Sequence, residues 1–362
     1  MERVTVPVPG RAYDVVTASG LLERAAEYVP DLGVAERAFV VADAAVVQRW
    51  FAPLEVSLRS RGLHPLLLPV PSGEDAKTLQ VYTALLHQLA AQEAHREDVV
   101  VALGGGSTGD LAGFVASTYM RGIRLIQVPT TLTAQVDAAI GGKSAVNLPE
   151  GKNLVGTFYQ PIVVLCDVQT LETVPERSYR TGLAEVAKYA LALDPGLLDQ
   201  LEADPGPIVS REPAALEPLV ARCASIKAMS VAEDEHDRGS RMFLNYGHTL
   251  GHALERLDAF AGTTHGEAIA VGMVFAARLA ERRGMTTEGL AGRTVRLLHS
   301  LGLQADGTLP PARAILDALR MDKKFHGGVR FVLLAEVGRP VVVDGIGEDE
   351  VRAVLVEMGA AA

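Results

Sequence analysis

Cysteine is nearly absent: the chain has two in 362 residues, Cys166 and Cys223, and no CxxC spacing. That excludes a disulfide framework and predicts two buried thiols in a reducing compartment. Basic excess is missing as well. A net charge of -10 and a pI near 5.4 argue against a nucleic-acid partner, which needs a basic face. A small anionic substrate stays compatible, because local charge can oppose the global sign. Long apolar runs are lacking: the longest, Ala268 to Ala277, is interrupted by Gly272 and too short to span a bilayer. The opening MERVTVPVPG has no apolar leader core. No membrane association and a cytoplasmic location are therefore expected. Internal repeats and low-complexity tracts are absent, and the tail Ala360 to Ala362 reads as frayed.

What is present is enough apolar residue, 48% of the chain, to bury large cores, and the length suggests two domains. Val4 to Val8 and Tyr13 to Thr17 flank Pro9-Gly10 as a hairpin. Strand candidates follow at Ala38 to Ala42, Pro65 to Pro69, Asp98 to Leu103, Ile123 to Val128 and Ile162 to Cys166. Helical patterns lie between them at Ala44 to Arg61, Thr78 to Gln92 and Asp110 to Met120. Near-continuous apolar strands separated by helices predict an α/β domain with a parallel sheet covered on both faces. After Asp167 helical patterns dominate, at Tyr179 to Leu193, Pro195 to Ala203, Ala214 to Ala232, Phe243 to Leu257, from Gly266 onward, and at Thr287 to Leu301. A β pair follows at Arg330 to Ala335 and Pro340 to Val343. The expected division is 1–167, a nucleotide-binding α/β domain, and 168–362, a mainly α-helical domain.

Three of the nine histidines, His248, His252 and His265, fall in one stretch, LNYGHTLGHALERLDAFAGTTHGE. At helical spacing His248 and His252 share a face, so either or both could meet an ion or a substrate. A lone helix histidine is ordinarily a core or surface residue, but the clustering among Gly247, Gly251 and Gly266 favours a metal site. The pattern lacks the glutamate of a zinc protease, since Thr249 follows His248. Thr264 to Glu267 reads as a capping box that puts His265 at a rigid helix start.

Upstream, DVVVAL runs into Gly104-Gly105-Gly106-Ser107-Thr108-Gly109-Asp110, a GxGxxG between strand and helix. Its plainest reading is a tight turn, and the usual acidic residue about twenty positions on is missing. Asp43, which ends AFVVAD, could supply the ribose contact instead. The stretch from Val128 to Pro161 combines Thr130, Thr131, Asp137, Lys143, Lys152 and Asn153 with glycines on a loop suited to phosphate. Glu185 and Lys188, three apart in GLAEVAKYALAL, are expected to be buried together. Lys227 and Arg241 add cations to an acidic protein.

The motifs GGGSTGDLAGFVASTYMRG, QVPTTLTAQVDAAIGGKSAVN, GKNLVGTFYQP, GLAEVAKY, LNYGHTLGHALE, HGEAIAVGM and DKK occur in this order, and together resemble the 3-dehydroquinate synthase family over about residues 40 to 335. The resemblance implies a homodimer that uses NAD and one divalent metal, zinc or cobalt. The family turns a small anionic sugar phosphate, 3-deoxy-D-arabino-heptulosonate 7-phosphate, into 3-dehydroquinate and phosphate. Carried over by motif, the metal ligands are Glu185, His248 and His265, with His252 left to the substrate. The implied NAD contacts are Asp43, Glu74, Lys77, Gly105, Gly106, Asp110, Thr130, Thr131, Asp137, Lys143, Lys152 and Thr173. Implied substrate contacts are Asp137, Lys143, Asn153, Lys188, Lys227, Arg241, Asn245, His252 and Lys323, with Arg121 acting across the dimer. Ser107, Thr108 and Ser144 depart from residues common in the family. They keep two alternatives in view: a sibling cyclase using sedoheptulose 7-phosphate, and a metal-dependent NAD polyol dehydrogenase.

Overall fold

The alternating apolar strands do assemble a mostly parallel sheet, and their period-2 pattern shows which layer each face meets. In this computed structural model, which describes residues 1–237, 239–258, 262–305, 309–321 and 329–362, the chain opens with β1 (Glu2–Val6), β2 (Tyr13–Ala18), α1 (Ala25–Tyr28), β3 (Arg37–Asp43), α2 (Ala44–Val46) and α3 (Ala52–Ser60). It continues through β4 (His64–Val70), α4 (Leu79–Ala91), β5 (Val99–Gly104), α5 (Gly106–Thr118), β6 (Arg124–Pro129), β7 (Lys143–Leu148), β8 (Gly151–Phe158) and β9 (Val163–Asp167). The later elements are α6 (Glu176–Ala192), α7 (Pro195–Ala203), α8 (Gly206–Val209), α9 (Pro213–Glu233), α10 (His248–Leu257), α11 (His265–Arg282), α12 (Leu290–Ser300), α13 (Ala312–Arg320), β10 (Phe331–Glu336), β11 (Arg339–Val343) and α14 (Glu348–Glu357).

These elements sort into two compact units, 1–174 with 211–236, and 175–210 with 237–362. The division expected at residue 168 falls just short of the first crossing, and the segment 211–236 returns to the first unit. It returns because α9 packs its buried side chains on β1 and β2.

In the first unit the strand order is β1-β2-β9-β6-β5-β3-β4, parallel except for β1. Ala38, Val40, Ala42, Val99, Val101 and Leu103 pack with Leu54 and Leu58 of α3 on one face. The intervening Phe39, Val41, Val100 and Ala102 pack with Leu85 and Leu89 of α4 and Leu111 of α5 on the other. Truncating any of these leucines to alanine costs about 2–5 kcal/mol. The order of connection reverses between β3 and β5, so their carboxyl ends frame the crevice where open α/β sheets bind ligands.

Three local expectations change. The helix expected from Asp110 begins at Gly106, inside the glycine motif. The stretch expected as a loop holds an antiparallel hairpin, β7 with β8, whose exposed positions hid its strand pattern. The helix expected over Phe243 to Leu257 is a 3-10 turn, Ser240–Asn245, then α10, broken at Gly247. Gly247 has φ 80°, and a Cβ there would lie 2.8 Å from the Ile269 carbonyl, so only glycine turns the chain this closely against α11.

The second unit centres on α11, whose apolar residues from Ala268 to Ala280 are buried nearly all round. It packs against α6, α10, α12, α14 and β10.

Candidate active site

In the first unit the glycines act as spacers. A Cβ on Gly104 would lie 2.7 Å from Thr108 Oγ1 and 3.0 Å from Asp43 Cβ, while on Gly105 it would meet Thr131 at 3.2 Å and on Gly106 Ala138 at 3.1 Å. The first turn of α5, capped by no side chain at Gly105, leaves backbone N–H groups at the end of β5. That is the donor arrangement a pyrophosphate requires. Asp43 closes the same crevice. It caps α2 through Ala45 N at 2.9 Å and accepts from Ser72 Oγ at 2.6 Å. Thr130 N donates to the Gly104 carbonyl at 2.9 Å, so the β6 end is tied to the glycine turn.

A second group continues along this rim. Lys77, 3% exposed, donates to Asp110 Oδ2 at 2.7 Å and Asn153 Oδ1 at 2.5 Å. Burial pushes the Asp110 carboxyl above the ordinary aspartate range, and the Lys77 ammonium opposes that. Ser107 Oγ donates to Glu74 Oε1 at 3.1 Å, joining Glu74 to the glycine turn. Asn147 was not singled out from the sequence, yet it knits the group: its Nδ2 donates to Glu74 Oε2 at 2.7 Å and its Oδ1 accepts from Asn153 N at 2.9 Å. Asn153 needs that support, since its φ is 57°.

Lys227, on α9, donates to Asp137 Oδ1 at 2.5 Å. Thr173 accepts from the indole of Trp50 at 2.9 Å. Lys143 is exposed at the start of β7, Lys152 is half-buried on β8, and Arg121 is exposed with φ 67°. The structure therefore joins Asp43, Glu74, Lys77, Gly105, Gly106, Asp110, Thr130, Thr131 and Asn153 around the β3 and β5 ends, with Asp137 and Lys227 as a separate pair.

The second unit carries the histidines. Glu185, in the middle of α6 and 1% exposed, is reached by both His248 Nε2 at 3.5 Å and His265 Nε2 at 3.1 Å. His248 Nδ1 lies 3.2 Å from the Tyr246 carbonyl, and His265 Nδ1 lies 3.1 Å from Glu255 Oε2. Each ring thus spends Nδ1 on an oxygen and turns Nε2 to the carboxylate. Donor atoms of Glu185, His248 and His265 lie within 4.8 Å of one another. One carboxylate and two oriented imidazoles are a fitting set for a divalent ion such as zinc, and leave coordination positions open. Oxygens of the type favoured by magnesium or calcium are too few.

Lys188, 2% exposed, sits 2.5 Å from Glu185 Oε2, as expected of a buried pair. Burial alone would raise the Glu185 carboxyl; the Lys188 ammonium, then hydrogen bonds from His248 and His265, hold it well below the ordinary range. Burial lowers His248, with Glu185 opposing. Burial also acts to lower His265, but the two flanking carboxylates, Glu185 and Glu255, overcome it and raise it to about 10.

His252, one turn along α10 from His248, is exposed, and its ring stacks 6.2 Å from His265. It has a place in a second grouping, with Glu255 and His265. Glu255 escaped the sequence reading. The available signal was a carboxylate three residues after His252 and seven after His248, on one helix face. Arg241 is buried and Asn245 half-buried in the 3-10 turn before α10. Lys323 lies outside the described residues. The capping box is present as expected: Thr264 Oγ1 accepts from Glu267 N, and Glu267 Oε2 from Thr264 N.

Comparison with known proteins places the chain in a family. The N-terminal domain profile of 3-dehydroquinate synthase matches residues 67–181, and the C-terminal profile matches 182–325. A 3-dehydroquinate synthase from Geobacter metallireducens is 42% identical, with 96% of this chain and all of that one covered. Among solved structures, a 2-deoxy-scyllo-inosose synthase complexed with carbaglucose-6-phosphate, NAD+ and Co2+ superposes with a TM-score of 0.87 at 29% identity, covering 98% of this chain and 100% of that one. A 2-epi-5-epi-valiolone synthase from Streptomyces hygroscopicus, with NAD+ and Zn2+ bound, does so at 0.85 and 29%, covering 96% of each. With both domain profiles matched in order and a full-length relative at 42% identity, the chain belongs to the 3-dehydroquinate synthase family.

Proposed function

We propose that the protein is a 3-dehydroquinate synthase, a phosphate-eliminating cyclase that acts on 3-deoxy-D-arabino-heptulosonate 7-phosphate in the shikimate route to aromatic amino acids. The observation that carries this reading is the Glu185, His248 and His265 cluster in a chain matched by both family profiles. In the first unit the bare N-terminus of α5, Asp43 and the Lys77 network hold NAD, assisted by Thr130, Thr131, Asp137, Lys143, Lys152 and Thr173. In the second, Glu185, His248 and His265 hold the divalent ion. When bound, the ion would supply Lewis-acid activation of a substrate alcohol and NAD a reversible hydride store, so that the reaction carries no net redox change.

The chain's own residues supply binding and orientation. Lys143, Lys188, Asn153 and His252 are assigned to the phosphate, Lys227 and Arg241 to the carboxylate end, where charge-assisted hydrogen bonds are strongest, and Asn245, between Arg241 and His248 in sequence, to the substrate. Lys323 completes the substrate set. Arg121, exposed beside a strained turn, serves the partner protomer of a homodimer. Holding the flexible product of elimination in a compact pose accelerates its ring closure by proximity.

Incubation with NAD, Zn2+ and the heptulosonate phosphate should release inorganic phosphate without accumulating NADH. A sibling cyclase is the second reading, favoured by the structural match to two cyclases of other names. Turnover of sedoheptulose 7-phosphate alone would establish it in place of the first. Steady NADH formation with glycerol would instead mark a dehydrogenase.

A further inference from the structure

Glu255 has no role in the assignments above, yet its carboxylate touches a proposed metal ligand from behind. It lies on α10, one face with His248 and His252, and is 7% exposed. Its Oε2 is 3.1 Å from His265 Nδ1, while His265 Nε2 is 3.1 Å from Glu185 Oε1. The imidazole is therefore held between two carboxylates from different helices. We infer that Glu255 is a positioning residue, which fixes the ring orientation and tautomer of His265 and strengthens its Nε2 as a donor to a divalent ion.

The packing explains how Glu255 gets there. A Cβ on Gly251 would lie 3.0 Å from the Ile269 side chain, and one on Gly272 would lie 1.9 Å from the Gly247 carbonyl. These glycines let α10 and α11 approach along their length, which brings a residue of the second turn of α10 and beyond onto the first residue of α11. His265 is itself pinned by the capping box at Thr264 and Glu267. Backbone and ring are thus fixed by separate devices. With Nδ1 committed to the Glu255 carboxylate, the proton displaced when an ion binds is the one on Nε2, so the neutral ring would present the Nε2 lone pair to an ion held beside Glu185, and the nearby negative charge raises its basicity. His248 has the weaker version of this arrangement, a neutral carbonyl at 3.2 Å. The two ligands are therefore unequal, and His265 is the stronger donor.

The proposal rests on the metal reading of Glu185, His248 and His265, and the test separates the two. Zn2+ affinity is measured by competition with a chromogenic chelator for the wild-type chain, Glu255→Gln, Glu255→Asp and His265→Ala, with apo-protein thermal unfolding alongside. Glu255→Gln keeps size and an acceptor but removes the charge; it should bind Zn2+ about 10- to 100-fold more weakly, with an unchanged fold and one ion per chain. His265→Ala should lose the ion far more completely. In the Co2+-substituted protein, the visible spectrum should shift in Glu255→Gln and return towards wild type in Glu255→Asp. Unweakened Zn2+ binding by Glu255→Gln overturns the positioning role alone. So does a second Zn2+ per wild-type chain that disappears in Glu255→Gln, since Glu255 would then be a ligand in its own right with His252. A wild-type chain that takes up no Zn2+ overturns the metal reading, and the proposal with it.

Discussion

Lys227 Nζ lies 2.5 Å from Asp137 Oδ1, although ninety positions separate them and Lys227 sits on a helix that the chain order would assign to the second domain. The lysine is 5% exposed, so its charge is compensated locally rather than by water. Replacing Lys227 with methionine should lower stability by about 1–3 kcal/mol, the penalty for leaving a partly buried charged acceptor without this donor. Urea denaturation of Lys227→Met, Asp137→Asn and the double variant measures the coupling. Strictly additive losses would mean that the pair does not interact in solution.

The proposed ligand set makes a four-way comparison. Glu185→Gln, His248→Ala and His265→Ala should each lose the metal on dialysis, whereas His252→Ala should retain it and lose turnover. Elemental analysis gives the answer directly: retention by any of the first three, or loss by the fourth, would redraw the set.

Close helix contact carries a stability prediction. Because a methyl group on Gly272 would overlap the Gly247 carbonyl, Gly272→Ala must push α10 away from α11. Overpacking of this kind costs about 1–3 kcal/mol or more. The thermal midpoint of Gly272→Ala should fall, and metal uptake should weaken with it, since His248 and His265 start the two displaced helices. An unchanged midpoint would show that the helices have room to spare.

Asn147 makes the remaining prediction. Asn147→Ala removes hydrogen bonds to Glu74 and to the strained Asn153 backbone, the first of them charge-assisted and by itself worth about 1.5–3 kcal/mol. Weaker NAD binding is expected, read from the fluorescence of Trp50, the one tryptophan, whose indole bonds to Thr173. NAD titrations identical to wild type would reduce Asn147 to a hairpin residue.

Much of this was readable beforehand where burial on both faces left one pattern available. The strands β3 to β6 and β9 stand within a residue or two of their expected limits, because Val, Leu and Ile runs of that length fit only a covered parallel sheet. The capping box was readable because both its partners are three residues apart. The hairpin β7–β8 was not, since its exposed residues and glycines lack the alternation of a half-buried strand.

By itself the sequence determined what is local or periodic: the α/β character of the first half, the helical second half, the capped start of the helix that carries His265, and the motif order that places the chain in its family. Only the tertiary structure decided which distant residues meet. It returned α9 to the sheet and so paired Lys227 with Asp137, it broke the helix at Gly247, and it set Glu255 behind His265. The reason is physical: spacing along a chain dictates which residues share a helix or strand face, whereas contacts between elements depend on how closely their backbones approach, and at α10 and α11 that distance is set by the absence of side chains on Gly247, Gly251 and Gly272.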